Sequence, residues 1–361
     1  MSGTVVDPGS AAAGSAADAV AMAIAADRRV RLRLAALGAD YARPVDHRMT
    51  DRLRHGIDAA LTDAVAEVER ALRLRAQRML AADGHDALAA ILAHAPDRRD
   101  LMALIAAIPE LPTQMAVRAA IAERAAAMPI HGGDDPDEPG FLAALAQSED
   151  RRIAAAARLL MQADPLDGSA GRPPADLRAA IGWWLAGAIE REPAAITPSA
   201  RLTLRRALVA AAEGLADAGD ASGDPVAAAL HLVHAIDPRP GEVAFLLIEA
   251  VRDRRLALFC AILGRAAGLA ADRVLPMLAA ADDDRLWLAL RAAGLDRTAM
   301  ANILSVLTTG IDPVSALARA DALSDAANMS PEMAGALILP LRCPDVHALA
   351  LGAPDRVSAL R

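Results

Sequence analysis

Apolar residues recur at helical spacing along almost the whole chain, and alternating strand-like runs are scarce. The densest series lies between Glu242 and Leu307, the stretch around which the rest is organised. Val243, Leu246, Leu247 and Val251 form one stripe. Leu256, Leu258, Phe259, Ile262 and Leu263 form the next, with Cys260 among them. Val274, Leu275 and Leu278 follow, then Leu286, Trp287 and Leu290, then Ile303, Leu304 and Leu307. This spacing predicts four or five short helices. Each has about three turns, too few to be stable alone in water, so each must bury its stripe against neighbours. The expected fold is therefore all-α: stacked antiparallel helix hairpins forming an irregular HEAT-like α-solenoid or superhelix.

The remaining elements follow in order. Residues 1–17 are Gly, Ser and Ala without periodic Leu and read as a disordered tail. Residues 18–128 form an N-terminal helical region, with helices from Asp18 and Asp27 and a stop at Leu37-Gly38. Its longest helix runs from Thr50 to Leu80 with the stripe Leu53, Ile57, Leu61, Val65, Val68 and Leu72. That stripe packs on its own chain or on a second copy, so a homodimer through this helix is one reading. Short helices at 85–93, 98–108 and 112–128 precede a Gly/Pro/Asp-rich linker at 129–139. Residues 140–361 form the C-terminal helical-repeat region. Within it Ser148 is expected to cap a helix, 164–173 is a loop, and helices at 174–190 and 198–216 follow. Thr197-Pro198, Asp224-Pro225, Asp312-Pro313 and Ser330-Pro331 each read as an N-cap followed by proline at the first helical position. The segments 1–17, 131–139 and 164–173 are the expected protease-sensitive sites.

Composition sharpens this picture. Hydrophobic residues make up 55% and aromatics 2%, and much of the apolar fraction is Ala, the best helix former. No Lys occurs, so all 38 basic residues are Arg, a codon signature of a GC-rich bacterial genome. Schiff-base and P-loop lysine chemistry are thereby excluded. The net charge of −8 disfavours nucleic-acid binding. Cys260 and Cys343 show no CxxC spacing and read as buried thiols of a reducing compartment. No apolar run is long enough to span a bilayer, and the N-terminus lacks a signal-peptide n-region. These readings together lead to a cytoplasmic protein.

One triplet recurs. Asp-Arg-Arg stands at 27–29, 97–99, 150–152 and 253–255, each time before an apolar-periodic run. Asp at a helix start caps exposed N–H groups, and an Arg one turn on can reach the corresponding Asp of a neighbouring repeat. From Glu242 to Ile303 the segments LLIEAVRDRRLALFCAILGRAAGL, RVLPML and LWLALRAAGLDRTAMANIL resemble the alphaproteobacterial family known as domain of unknown function 2336. Phe259 and the run from Leu290 to Leu295 carry most of the likeness. The resemblance covers about the C-terminal 40% of the chain and implies an all-helical HEAT-like fold, without an activity or site residues.

Catalytic chemistry is not legible. No GxSxG, GxGxxG, P-loop or HExxH motif is present, and the acids Asp134, Asp135, Asp137 and Glu138 lack EF-hand spacing. His55 matches no phosphotransfer motif. The weak metal candidates are His231 and His234, at i and i+3, with Asp237 just beyond; they read first as two partly buried structural histidines. Trp183 and Trp184 point about 100° apart on one helix. Trp184 shares a stripe with Leu177, Ile181 and Leu185, so it is expected inside and Trp183 at a seam or surface. Trp183, Arg254 and Arg255 are the candidate partner contacts. The leading expectation is a non-enzymatic scaffold or regulator that binds another protein and carries no cofactor. The alternative is a helical ligand- or metal-binding sensor or enzyme with a pocket near His231, His234 and Trp183.

Overall fold

The computed structural model describes residues 51–93, 101–128, 140–164, 173–191, 196–217, 223–279, 284–308 and 313–342, together with Arg29, Leu32 and Ala36, which are helical. The expectations for residues 1–17, Leu37-Gly38, the triplet at 97–99, Asp312, Cys343, the acids at 134–138 and the segments 131–139 and 165–172 lie outside these residues. The described residues are helical without strands. In chain order the helices are α1 (Asp51–Ala82), α2 (Asp86–Leu92), α3 (Leu101–Ala107), α4 (Leu111–Ala127), α5 (Phe141–Ala146), α6 (Arg151–Ala163), α7 (Ala175–Arg191) and α8 (Pro198–Asp217). They continue with α9 (Pro225–Ile236), α10 (Val243–Arg252), α11 (Leu256–Ala267), α12 (Ala271–Ala279), α13 (Arg285–Ala292), α14 (Arg297–Leu307), α15 (Pro313–Ala327) and α16 (Pro331–Ile338), and a 3-10 turn at Leu339–Arg342.

The chain divides into two compact units. The division does not follow the expected linear order of 18–128 and then 140–361. One unit combines Leu34–Glu123 with Gln162–Pro225; the other combines Arg124–Met161 with Val226–Arg361 and Met1–Arg33. In the first, α1 packs against α2, α7 and α8, and α7 against α8 and α3. The stripe Ile57, Leu61, Val65, Val68 and Leu72 is buried with Leu177, Ile181, Leu185, Leu204 and Leu208 in a single core. The chain itself therefore covers the stripe considered for a homodimer. The core also buries a charged pair, with Arg73 Nε donating to Glu69 Oε1 at 2.7 Å one turn apart on α1.

In the other unit α11 is the central element. Leu256, Leu258, Phe259, Cys260, Ala261, Ile262 and Leu263 are all buried, so this helix is apolar on every side, as a core helix must be. It packs against α10, α12 and α13. Further pairings join α10 to α14, α13 to α15 and α16, and α14 to α15. Trp287 of α13 is among the largest fully buried side chains.

Helix ends are set by short polar devices. Asp296, Ser330 and Thr197 accept backbone N–H groups three residues on, at 2.8, 3.2 and 3.3 Å. At 150–152 the cap is Asp150, which accepts from the N–H of Arg152 at 2.8 Å, while Ser148 Oγ accepts from the N–H of Asp150. The cap therefore sits two residues later than the sequence suggested, because the carboxylate is the stronger acceptor for a helix N-terminus. C-termini are closed by guanidinium groups from other elements. Arg75 donates to Gly214 O, Arg124 to Leu278 O and Arg158 to Ala146 O, each at 2.9 Å. Arg201 does the same to Glu190 O, and Arg291 to Met329 O just past α15; Arg291 also donates to Leu295 O in the turn after its own helix. Helix C-terminal carbonyls lack intrahelical donors and carry negative partial charge, so a cation with several N–H groups suits them. The all-Arg composition thus has a structural use.

Candidate functional site

The sequence-derived metal set is not assembled. His231 and His234 lie exposed on α9, not partly buried as expected. The turn of the helix carries Leu232 and Val233 inward and leaves both rings outside. His234 Nδ1 is 2.7 Å from Leu230 O. Asp237 follows the helix with a φ of +49° and donates its N–H to Val233 O, so it serves as a left-handed C-terminal residue. Its carboxylate pairs with Arg265. Among the described residues no group of three His, Cys, Asp or Glu side chains could hold a metal ion. His55 is exposed on α1, and Cys260 is buried and in no disulfide.

The triplet at 253–255 does something the sequence did not reveal. It closes α10 as well as leading into α11, whose N-cap residue is Arg255 and whose first turn no side chain of the triplet caps. Arg255 N–H donates to Ala250 O at 2.8 Å across a turn in which Arg254 has a φ of +57°. Glycine usually occupies that left-handed position. Asp253, freed from its own helix, reaches the short helix α5: its Oδ2 accepts the N–H of Leu142 at 2.9 Å. Gly140 makes room for it, since a Cβ there would lie 2.6 Å from Asp253 Oδ1. Beside this cap Phe141 and Phe245 meet edge to face with centroids 6.3 Å apart, a favoured aromatic geometry. Arg255 is 7% exposed, with Nε 3.9 Å from Asp253 Oδ2. Burial removes it from any contact surface, so Trp183 and Arg254 remain of the three candidates.

Among the described residues two aromatic side chains stand out from the surface. Trp183 is 44% exposed on α7, while Trp184 packs against the core of its unit. Phe245, on α10 of the other unit, is 60% exposed. The first was legible from helix geometry. Phe245 was not singled out, although it falls off the stripe Val243, Leu246, Leu247, Val251 and was readable on that ground.

Sequence reasoning also missed Arg118. It lies on α4 among buried neighbours Leu111, Pro112, Met115, Ala116, Val117 and Ala119, and is itself 8% exposed. Its Nε–H is shielded from water and has no acceptor among the described residues. Desolvation holds the guanidinium pKa below its ordinary value, against the attraction of Asp224 and Asp176. The signal was available: positions 111, 115 and 118 fall on one helical stripe, and an Arg on an apolar stripe is the informative exception.

No family model, curated protein or solved structure matches this chain.

Proposed function

We propose that the protein is a non-enzymatic helical scaffold or regulator that binds another protein, its short helices forming degenerate HEAT-like repeats. The observation that carries this reading is the exposure of Trp183 and Phe245 in a chain holding only three Trp, one Tyr and three Phe. Exposed aromatics are favoured anchors of protein interfaces, because they bury a large area at low cost in conformational freedom. Pairing of chain neighbours such as α7 with α8, α10 with α11 and α14 with α15 supports the repeat reading. Pairings that skip neighbours, α10 with α14 and α13 with α16, make any repeat irregular. The resemblance of 242–303 to domain of unknown function 2336 points the same way and adds no activity. A bacterial cytoplasmic setting is part of the same proposal, resting on the Arg-only basic complement and the absence of disulfide-type cysteine spacing.

The test is affinity purification of the full chain from its native cell, with quantitative partner identification and metal and small-molecule analysis of the same material. A stoichiometric protein partner supports the reading. A stoichiometric metal held by the exposed histidine pair, with no protein partner, overturns it.

A further inference from the structure

The exposed apolar residues of α7 and α8 gather on one side of that helix pair. Leu202 and Val209 are exposed on α8, and Arg205 lies between them at i+3 from the first and i−4 from the second, so the three share a face. Arg205 forks onto Glu190 of α7 at 2.6–3.0 Å. Glu190 stands two turns beyond the exposed Trp183, on the same side of α7. The ion pair thus joins Trp183, Leu202 and Val209 into one patch. Gly187, between Trp183 and Glu190, keeps that patch open, since a Cβ there would meet nothing within 4 Å. Within 183–191 and 198–209 the charged residues are Arg191, Arg201, Arg205 and Arg206 against the single acid Glu190. The patch is therefore basic, in a chain whose net charge is −8.

The other compact unit carries the complement. On α15, Leu317, Asp321 and Asp325 recur four residues apart and are all exposed. On α16 Glu332, Met333 and Ala336 are exposed, as is Leu339 in the turn that follows. Both helices pack on α13. Within 317–327 and 331–339 the one cation is Arg319, which is buried. What these helices present to solvent is therefore apolar and acidic. Apolar residues rimmed by charge mark an interaction surface, and opposite rims select each other. We infer that the chain associates with a second copy of itself, the α7–α8 face of one against the α15–α16 face of the other. Trp183, Leu202 and Val209 then cover Leu317, Met333 and Leu339, while Arg191 and Arg206 meet Asp321, Asp325 and Glu332. An unrelated partner of one charge would fit one face; a second copy accounts for both. Two different patches meet, so the contact is heterologous. This association goes beyond the binding of another protein and requires none.

The experiment is sedimentation velocity and light scattering of the pure full chain over a wide range of concentration and salt. The expected mass exceeds that of one chain, rises with concentration and falls as salt screens the rims. Arg206→Glu and Asp321→Arg each place like charges opposite one another, so each should weaken association roughly tenfold or more. Both positions are exposed and should leave the melting curve unchanged; Leu202→Ser is a second variant of the basic face. The decisive arm mixes the two charge variants. The intact α7–α8 face of Asp321→Arg then meets the intact α15–α16 face of Arg206→Glu, and a one-to-one complex should return. Three results would overturn the proposal: a single chain at every concentration and salt, either charge variant associating as the parent does, or a mixture that associates no better than its components. Each is read without any other protein present, so it leaves the partner-binding reading to its own test.

Discussion

Asp253 shows how one side chain can be assigned the wrong helix from sequence alone. The triplet Asp-Arg-Arg suggested a cap for the helix that follows, yet its carboxylate caps α5, over a hundred positions earlier, through Leu142 N–H. Asp253→Ala should cost roughly 0.5–2 kcal/mol, the usual worth of an N-cap, and should raise amide exchange first at residues 141–146. Gly140→Ala should reproduce that local loosening, since its Cβ would meet the same carboxylate. Arg254 makes the opposite prediction. A non-glycine residue at a φ of +57° stores roughly 1–2 kcal/mol, so Arg254→Gly should stabilise the protein by about 1 kcal/mol in denaturant melts. An unchanged or lower midpoint would mean that the Arg254 side chain returns more than the backbone strain removes. Charge also acts at this scale. Arg205 forks onto Glu190 at 2.6–3.0 Å and holds its carboxyl below the usual glutamate range. The N–H of Arg152 does the same for Asp150. A carboxyl whose folded pKa is depressed adds stability above its unfolded pKa and loses it as pH falls through the folded value. Stability should therefore decline below about pH 4.5, near the ordinary carboxylate range. Glu190→Gln should flatten part of that acid limb, and a parallel decline in both proteins would exclude the pair as a contributor.

Among the elements, α7 separates two adjacent tryptophans by helix rotation alone. Trp184 is partly buried against the core, so Trp184→Ala should cost up to about 3 kcal/mol, the low end for a buried Trp. Trp183 is exposed, and Trp183→Ala should stay within about 0.5 kcal/mol of the parent in urea melts. Equal losses would place both rings in the core. This division was readable because periodicity states which residues share a face. Helix limits were readable to within a few residues where proline or a cap residue marks them, as at Pro198, Pro225 and Pro331. The histidine pair was misjudged for a related reason. Leu230, Leu232 and Val233 share its helix but not its face, and sequence adjacency was read as common burial. Arg118 was missed because Arg was treated as a solvated residue without checking its stripe. The helix that carries it is buried on both flanks of that position.

At the level of the molecule, the all-helical class followed from composition and period, whereas the grouping of helices did not. The expected order placed α7 and α8 with the C-terminal region; they instead complete the core around α1. Amphipathic stripes announce that a face must be covered but not by which partner, because Leu and Ala faces are largely interchangeable. The candidate site was legible to a similar depth: the exposed Trp183 came from geometry within one helix, while the cap that Asp253 lends to α5 required tertiary structure. The central claim is the proposal that exposed aromatics of this chain bind another protein. It is tested most directly by titrating the purified partner against the parent chain, Trp183→Ala and Phe245→Ala, with melting curves measured in parallel. The account predicts that at least one variant melts like the parent yet binds at least roughly tenfold more weakly, the loss expected for an interface anchor. Full affinity in both variants, with folding intact, would contradict it.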